Sequence, residues 1–363
     1  MILKVNEDIA EAAVLGGAFL GGGGGGDFKL GLSHARLALS LGEIRLIDID
    51  SLPEDGYLVT ASMVGAPAAK EKLVLPSHML KSFQILKESF KEKITGIVSS
   101  ENGGYSTING WIVSALTGIP IVDAPADGRA HPTGIMGAMG LHRVKDFVSL
   151  QSAVGGSEEE GRYIEILVKG NLIRASRMVR ETAVQAGGLV AVTRNPVKRN
   201  YVKENGAVGA ITQAIEIGGF MKKYKGETYK LSEKIIEYLG NGKIVDKVRI
   251  MEVSLKTEGG FDVGKVIAQG EKDRYEVTFW NEFMTLESSD GERLATFPDL
   301  ISLIEIKESI PLTSAEIKEN MEALLLAIPK ESIILGAGVK DPEALREVEK
   351  ITGKRILGGE SVC

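Results

Sequence analysis

Six consecutive glycines, Gly21 to Gly26, restrict this chain more than any other feature. A residue without a Cβ reaches positive φ freely, but it loses more conformational freedom on folding than any other residue. Six in a row therefore call for contacts that only bare backbone can make. Upstream, Asn6 with Glu7 and Asp8 reads as a helix start, and Ile9, Ala12, Ala13, Gly16, Phe19 and Leu20 recur at helical spacing. Downstream, Asp27 opens a second helical pattern through Leu30, Ala35, Leu37, Ala38 and Leu41, closed by Gly42. Two uses of the run are open. The amides of Gly22, Gly23, Gly24, Gly25 and Gly26, with Asp27, could cradle an anionic or carbonyl-bearing ligand at the next helix start, or the run could permit a tight crossing of the two helices. Ligand contact is the expectation carried forward.

A dinucleotide fingerprint also places glycines about twenty residues before an acid, and Asp48 stands there. In that fingerprint the glycines follow a strand directly, whereas here they follow a helix, and the Walker Lys-Ser/Thr pattern is missing. No nucleotide cofactor is expected. The net charge of −6, from 43 basic and 49 acidic residues, argues against nucleic-acid binding. No apolar run is long enough to span a membrane and no export signal is visible. The only cysteine, Cys363, is the last residue, so no disulfide or thiolate metal cluster forms within the chain. These features predict a cytoplasmic protein.

The 363 residues suit two domains. Strands are predicted at 44–49, 57–63, 96–100 and 120–123, with helices at 77–90 and 107–116 between them, which gives a three-layer α/β/α domain with a largely parallel sheet over residues 1–170. Residues 171–240 are expected to form a helical connection on that domain, with Gly218-Gly219 as a break. Residues 241–363 contain short β-branched or aromatic runs between turns, the pattern of a β-rich, barrel-like domain, closed by a strand at 333–335 and a helix at 342–351.

Three predicted strands end in polar, glycine-containing loops: Val64-Gly65-Ala66-Pro67 with Glu71 beyond, Glu101-Asn102-Gly103-Gly104, and Asp123 through Pro132. In an open parallel sheet such loops converge where ligands bind. The third concentrates Asp123, Asp127, Arg129 and His131, groups able to deprotonate water, anchor an anion and stabilise an oxyanion. The bland alternative is an Asp–Arg pair that stiffens the loop. Glu101 serves either as a general base or as a helix cap. Ser106, Thr107 and Thr133 are further hydroxyl donors. Only four histidines are present, His34, His78, His131 and His142, and none belongs to a His-Glu-x-x-His pattern. The metal site kept open is one divalent ion on His131 with Asp127, Asp123 or Glu101. Gly-x-Ser-x-Gly is missing and Cys363 is terminal, so activated water is favoured over a nucleophilic side chain.

With these motifs the chain resembles the S-methyl-thiohydantoin desulfurase-like family, formerly of unknown function and associated with hydantoinase and oxoprolinase proteins. The resemblance rests on Leu20 to Asp27, Val64 to Pro67 with Glu71-Lys72, Glu101 to Gly104, Val122 through Pro132, Asn281-Glu282 and Phe297 to Ile301. It implies an α/β domain joined to a barrel-like domain and hydrolysis of a small cyclic amide or thioamide, such as a thiohydantoin or hydantoin ring. Asn102 stands where many members have Ile, and His131-Pro132-Thr133 where they have Phe-Pro-Glu, so the substrate is expected to differ within the reaction class.

The expectation is a hydrolase in which Glu101, Asp123 or Asp127 activates water, with a metal on His131 as an option. Arg129 would hold a substrate carboxylate, and Asn281, Glu282 and Asp299 would complete the site at an interdomain cleft. The protein is expected to form a homo-oligomer. The alternatives are a non-catalytic ligand-binding subunit that partners a hydantoinase-type protein, and a nucleotide-cofactor oxidoreductase.

Overall fold

The computed structural model describes residues 2–358, so Cys363 lies outside the described residues. The chain begins β1 (Ile2–Lys4), α1 (Glu7–Leu20), α2 (Phe28–Leu41), β2 (Arg45–Ile47), β3 (Tyr57–Gly65), α3 (Pro76–Ser89), β4 (Ile94–Ser99), α4 (Trp111–Thr117) and β5 (Ile121–Val122). It continues β6 (Ser149–Gly155), β7 (Ile164–Gly170), α5 (Leu172–Gln185), β8 (Leu189–Lys198), α6 (Arg199–Asn205), α7 (Ala210–Lys223) and α8 (Thr228–Leu239). All eight strands join one sheet in the order β1-β2-β5-β4-β3-β8-β6-β7.

Strands β2, β5, β4 and β3 are mutually parallel, which requires the crossover helices between them. Strands β1, β8, β6 and β7 are added antiparallel. The sheet is therefore mixed, and one of its strands, β8, lies inside the stretch expected to be a helical connection. Its buried β-branched residues Val190, Val192, Thr193 and Val197 suit a strand flanked on both sides, and the alanine-rich segments around it concealed that signal.

Gly218-Gly219 does not break a helix either, since both residues lie within α7. Helix α1 crosses α7 at backbone contact. A Cβ on Gly16 would lie 1.7 Å from the carbonyl oxygen of Ala214, and one on Gly218 would lie 1.8 Å from that of Ala12. Tryptophan 111, by contrast, is in the core as its helical position suggested.

The remainder forms β9 (Lys243–Glu258), β10 (Phe261–Gly270), β11 (Arg274–Trp280), β12 (Glu282–Ser288), β13 (Arg293–Thr296), β14 (Leu300–Glu305), β15 (Glu322–Ile328) and α9 (Pro342–Thr352). Its antiparallel sheet runs β13-β12-β11-β10-β9-β15-β14, and β14 also lies against β12 and β13, so the sheet curls into a barrel-like form. Val248, Ile250, Phe279, Phe283, Leu286 and Leu325 pack in one cluster of this unit. A second cluster joins Trp280, Leu300 and Leu324 to Phe19 and Leu20 of α1 and to α7, α8 and α9. Residues 333–335, expected as a strand, carry no strand pairing. No helix among the described residues is long and apolar enough to cross a membrane.

The glycine turn joins the two sheets. Gly25 accepts hydrogen bonds at its carbonyl from the amides of Tyr105 (2.8 Å) and Ser106 (2.9 Å) after β4. Gly22 and Gly23 accept at theirs from Phe283 and Ser314 of the second unit, both at 2.8 Å. A Cβ on Gly25 would fall 2.3 Å from the Cα of Gly103, and one on Gly24 would fall 2.2 Å from Oε1 of Glu282. The run thus serves domain contact, a use beyond ligand binding and helix crossing.

Adjacent glycines of α7 supply a test. Gly218→Ala meets backbone that cannot move aside, and should lower stability by about 2 kcal/mol or more, as other overpacked sites do. Gly219→Ala meets nothing within 4 Å, and should raise stability by about 0.5–1 kcal/mol through helix propensity alone. Chemical denaturation of the two variants would show opposite shifts in midpoint.

Candidate functional site

The loops that follow β3, β4 and β5 meet at one cavity of about 100 Å3. A single water needs roughly 10–15 Å3 by the same measure, so the space suits a small ring or several waters. Val64, Gly65 and Pro67 line it from the first loop, Ser100, Glu101 and Ser106 from the second, and His131, Pro132 and Thr133 from the third. Gly25, Gly26 and Asp27 add the glycine turn, and Asn281 and Glu282 arrive from the second unit. The site is therefore interdomain.

Glu101 is held at both oxygens. Its Oε1 accepts from the Ser106 hydroxyl at 2.8 Å and its Oε2 from the His131 amide at 3.1 Å. Burial outweighs these donors and the nearby arginines, and lifts the carboxyl to about 7. The His131 ring lies with Nε2 3.2 Å from Oε2 of Glu101, but neither ring nitrogen is aligned with a hydrogen-bond partner. Burial, reinforced by the positive charge of Arg194, lowers that imidazole to about 3, so it is neutral at physiological pH. Glu282 lies against Gly24 with its Oε2 buried and unpartnered. Burial first, and the charge of Glu101 second, raise it well above the ordinary range. Two carboxyl groups of different domains, both destabilised as anions, thus face one small space.

Three guanidinium groups surround them. Arg180 donates to the carbonyls of Gly65 (3.1 Å), Pro132 (2.9 Å) and Gly260 (2.7 Å), and stacks over Phe261. Arg129 is wholly buried away from the cavity wall, donates to the carbonyls of Pro298 (3.0 Å) and Asp299, and lies over the Phe297 ring. Arg194, on β8, lines the cavity. Neither Arg180 nor Arg194 was singled out from the sequence. A lone arginine inside the apolar strand pattern of residues 189–197 was the available signal.

The other expected residues fall elsewhere. Asp123 accepts from the amides of Ile211 (2.8 Å) and Thr212 (3.3 Å) and from the Thr212 hydroxyl, which caps α7. Asp127 accepts from the amide of Gly336 at 2.8 Å, and its second oxygen is buried without a partner. Asn102 donates to the carbonyls of Gly128 and Ala210 and accepts from Thr107. Gly103 and Gly104 form the floor on which the glycine turn lies. Asp299 accepts from the amides of Thr296 and Lys330 and shapes a turn. Glu71 is exposed and pairs with Arg162 at 3.0 Å, while the adjacent Lys72 lines the cavity and donates to the Pro67 carbonyl. Asn281 fixes the cavity rim by exchanging bonds with the Asp262 backbone.

The cluster able to take a divalent cation is also elsewhere. His142, Asp341 and Glu343 bring one ligand atom each within 4.8 Å of one another, and this set includes neither His131 nor Asp127. Arg143 already occupies both oxygens of Asp341 and holds that carboxyl well below its usual range. The same Asp341 caps α9 through the amides of Glu343 and Ala344.

The buried acids make stability depend on pH in a definite direction. Burial raises Glu101 from 4.5 to about 7 and Asp127 from 3.8 to about 8. Between the unfolded and folded values the folded chain binds more protons, so its stability falls as pH rises through this window. The melting temperature of the ligand-free protein should fall between pH 5 and 8, and Asp127→Asn should flatten part of that fall. A wild-type curve and an Asp127→Asn curve of equal slope would contradict the assignment.

A solved protein from Chromobacterium violaceum is similar over 96% of this chain and 96% of its own, at 20% identity and a TM-score of 0.74, which shows a shared fold. A comparison with curated proteins finds no match. Residues 8–156 match the S-Me-THD-like N-terminal domain and residues 170–337 the S-Me-THD-like C-terminal domain, and with both matched in order the chain belongs to the S-Me-THD-like family.

Proposed function

We propose that the protein hydrolyses a small cyclic amide or thioamide of the hydantoin or thiohydantoin type in the interdomain cavity. Family membership and a cluster able to bind a divalent cation support a catalytic role in general. The observation that carries the specific reading is the pair of buried carboxyls, Glu101 and Glu282, raised in pKa and lining one cavity. General acid–base catalysis works best with groups whose pKa lies near the working pH, and Glu101 meets that condition.

In this reading the ionised Glu101 takes a proton from water while the water oxygen bonds to the ring carbon. Glu282, still protonated, gives its proton to the departing nitrogen or sulfur as the carbon–heteroatom bond breaks. One water is consumed and both carboxyls are restored by one proton exchange with solvent. Gly25 and Gly26 line the cavity, and among the described residues nothing accepts their amide hydrogens. They are therefore free to donate to an oxyanion formed at the ring carbonyl. Neutral His131 packs beside Glu101, where it supplies a polar wall without neutralising the base. His142, Asp341 and Glu343 do not line the cavity, so no step of the reaction passes through that cluster. Asp123, Asp127 and Arg129 act in this scheme by holding α7, the segment at Gly336 and the second unit in place.

Turnover of a hydantoin and an S-methyl-thiohydantoin, followed by ring opening and thiol release, tests the reading. Glu101→Gln should reduce kcat by about 100-fold or more, with Glu282→Gln acting similarly, while both variants remain folded by circular dichroism. For the wild type, kcat/KM should rise with pH through about 7 as Glu101 ionises and fall again at higher pH as Glu282 loses the proton it must donate. Binding of either ring without any turnover would favour the ligand-binding subunit instead.

A further inference from the structure

We propose that the cavity holds a carboxylate on its substrate, with Arg194 as the anchor. This deepens the ring-hydrolase reading and rests on it only for the choice of probe.

Arg194 is 2% exposed. A buried guanidinium normally meets carboxylates or several carbonyls, since an isolated charge is costly to take out of water. Its neighbours Arg129 and Arg180 follow that rule with three carbonyl acceptors each, although Nη2 of Arg129 is left unpartnered. Arg194 does not: its Nε is without a partner, and among the described residues it forms neither an ion pair nor a hydrogen bond. Strand alternation explains its direction. Thr193 turns to the α3 side, where its hydroxyl lies 3.0 Å from that of Ser82, so Arg194 turns to the opposite face, under the loop that carries His131.

That loop is shaped to the guanidinium. A Cβ on Gly134 would lie 2.8 Å from its Nη1, and a Cβ on Gly137 would lie 3.0 Å from its Nη2. The group lines the main cavity and also the adjoining one bounded by Ile173, Ser176 and Arg177. A side chain packed this closely, without a partner and facing open space, keeps its hydrogen-bonding fork for a ligand. A planar guanidinium matches a carboxylate through two parallel bonds. Glu101 does not take this place: it accepts from Ser106 and His131 and forms no ion pair with Arg194. The bound ring would thus be anchored by its carboxylate at Arg194 while its reacting carbon lies toward Glu101 and Glu282.

The test compares hydantoin-5-acetate with 5-ethylhydantoin, two rings of similar size of which only the first carries a carboxylate. Calorimetric titration of the full chain should show at least tenfold tighter binding of the acetate. Arg194→Met should erase that preference while its melting temperature stays equal to or above that of the wild type, because an unpartnered buried charge has been removed. A merely structural arginine would instead lower the melting temperature. Should the methionine variant fail to fold, Arg194→Gln is titrated in its place with the same expected loss. Equal binding of the two rings by the wild type, or an undiminished preference in the folded variant, would overturn the proposal. Glu101→Gln separates the two readings: it should still prefer the acetate, so loss of the preference at Arg194 alone bears on the anchor. Preference for the acetate with no turnover of any ring would leave the anchor standing and remove the hydrolase.

Discussion

Backbone-to-backbone approach at the glycine turn is the contact on which the cavity depends. The turn receives amides from the loop after β4 through Gly25 and amides from the second unit through Gly22 and Gly23. Any Cβ at Gly24 or Gly25 would separate the parts it joins. Since Glu101 belongs to one part and Glu282 to the other, the carboxyl pair exists only while this contact is closed. The entropy lost by ordering six glycines is offset by interdomain hydrogen bonds and by the removal of both domain surfaces from water. Gly25 and Gly26 also border the cavity, so the structural use and the ligand-facing use coexist in neighbouring residues.

Around that contact the charges divide into committed and uncommitted groups. Arg129 ties the loop after β5 to the carbonyls of Pro298 and Asp299, and Arg180 ties it through Pro132 to Gly260. These bonds cross between the two units and occupy most of both guanidinium groups, with Nη2 of Arg129 left buried and unpartnered. Arg194, Glu282 and the second oxygen of Asp127 lack such partners. Polar groups left unsatisfied in a buried site lower stability, and they are retained where a ligand or a reaction uses them.

Much of this was legible in the sequence, for identifiable reasons. The strand–loop–helix alternation up to residue 132 carries its own punctuation, and loops after parallel strands collect on one edge of a sheet by topology. That placed Glu101 and His131 near the glycine turn, whereas the pair Asn281-Glu282 was reached only through the family resemblance. Roles within the loop from 123 to 132 could not be read in the same way. Asp123, Asp127 and Arg129 are polar residues in a short stretch, but which of them faces a cavity depends on partners far along the chain: Thr212, Gly336 and Pro298. Local spacing holds no information about those distances. Arg194 was concealed for another reason, because the alanine-rich segments around β8 made residues 171–240 read as helical and hid the strand that turns it inward. The His142, Asp341 and Glu343 cluster likewise unites residues about two hundred positions apart.

In the proposed reading, the electrostatics would also couple substrate binding to the strength of the base. The positive charge of Arg194 is among the influences that lower the Glu101 pKa, against the larger effect of burial. A substrate carboxylate placed on Arg194 cancels that influence, and the ring that fills the cavity excludes water. Both changes move Glu101 further upward. A carboxylate with a higher pKa is a stronger base toward water, but less of it is ionised at a given pH. On that proposal the substrate would strengthen the group that acts on it, and the working pH would shift upward when the cavity is filled. The unpaired Arg194 of the ligand-free protein would cost stability while favouring the ionised form of Glu101 that the proposed reaction needs.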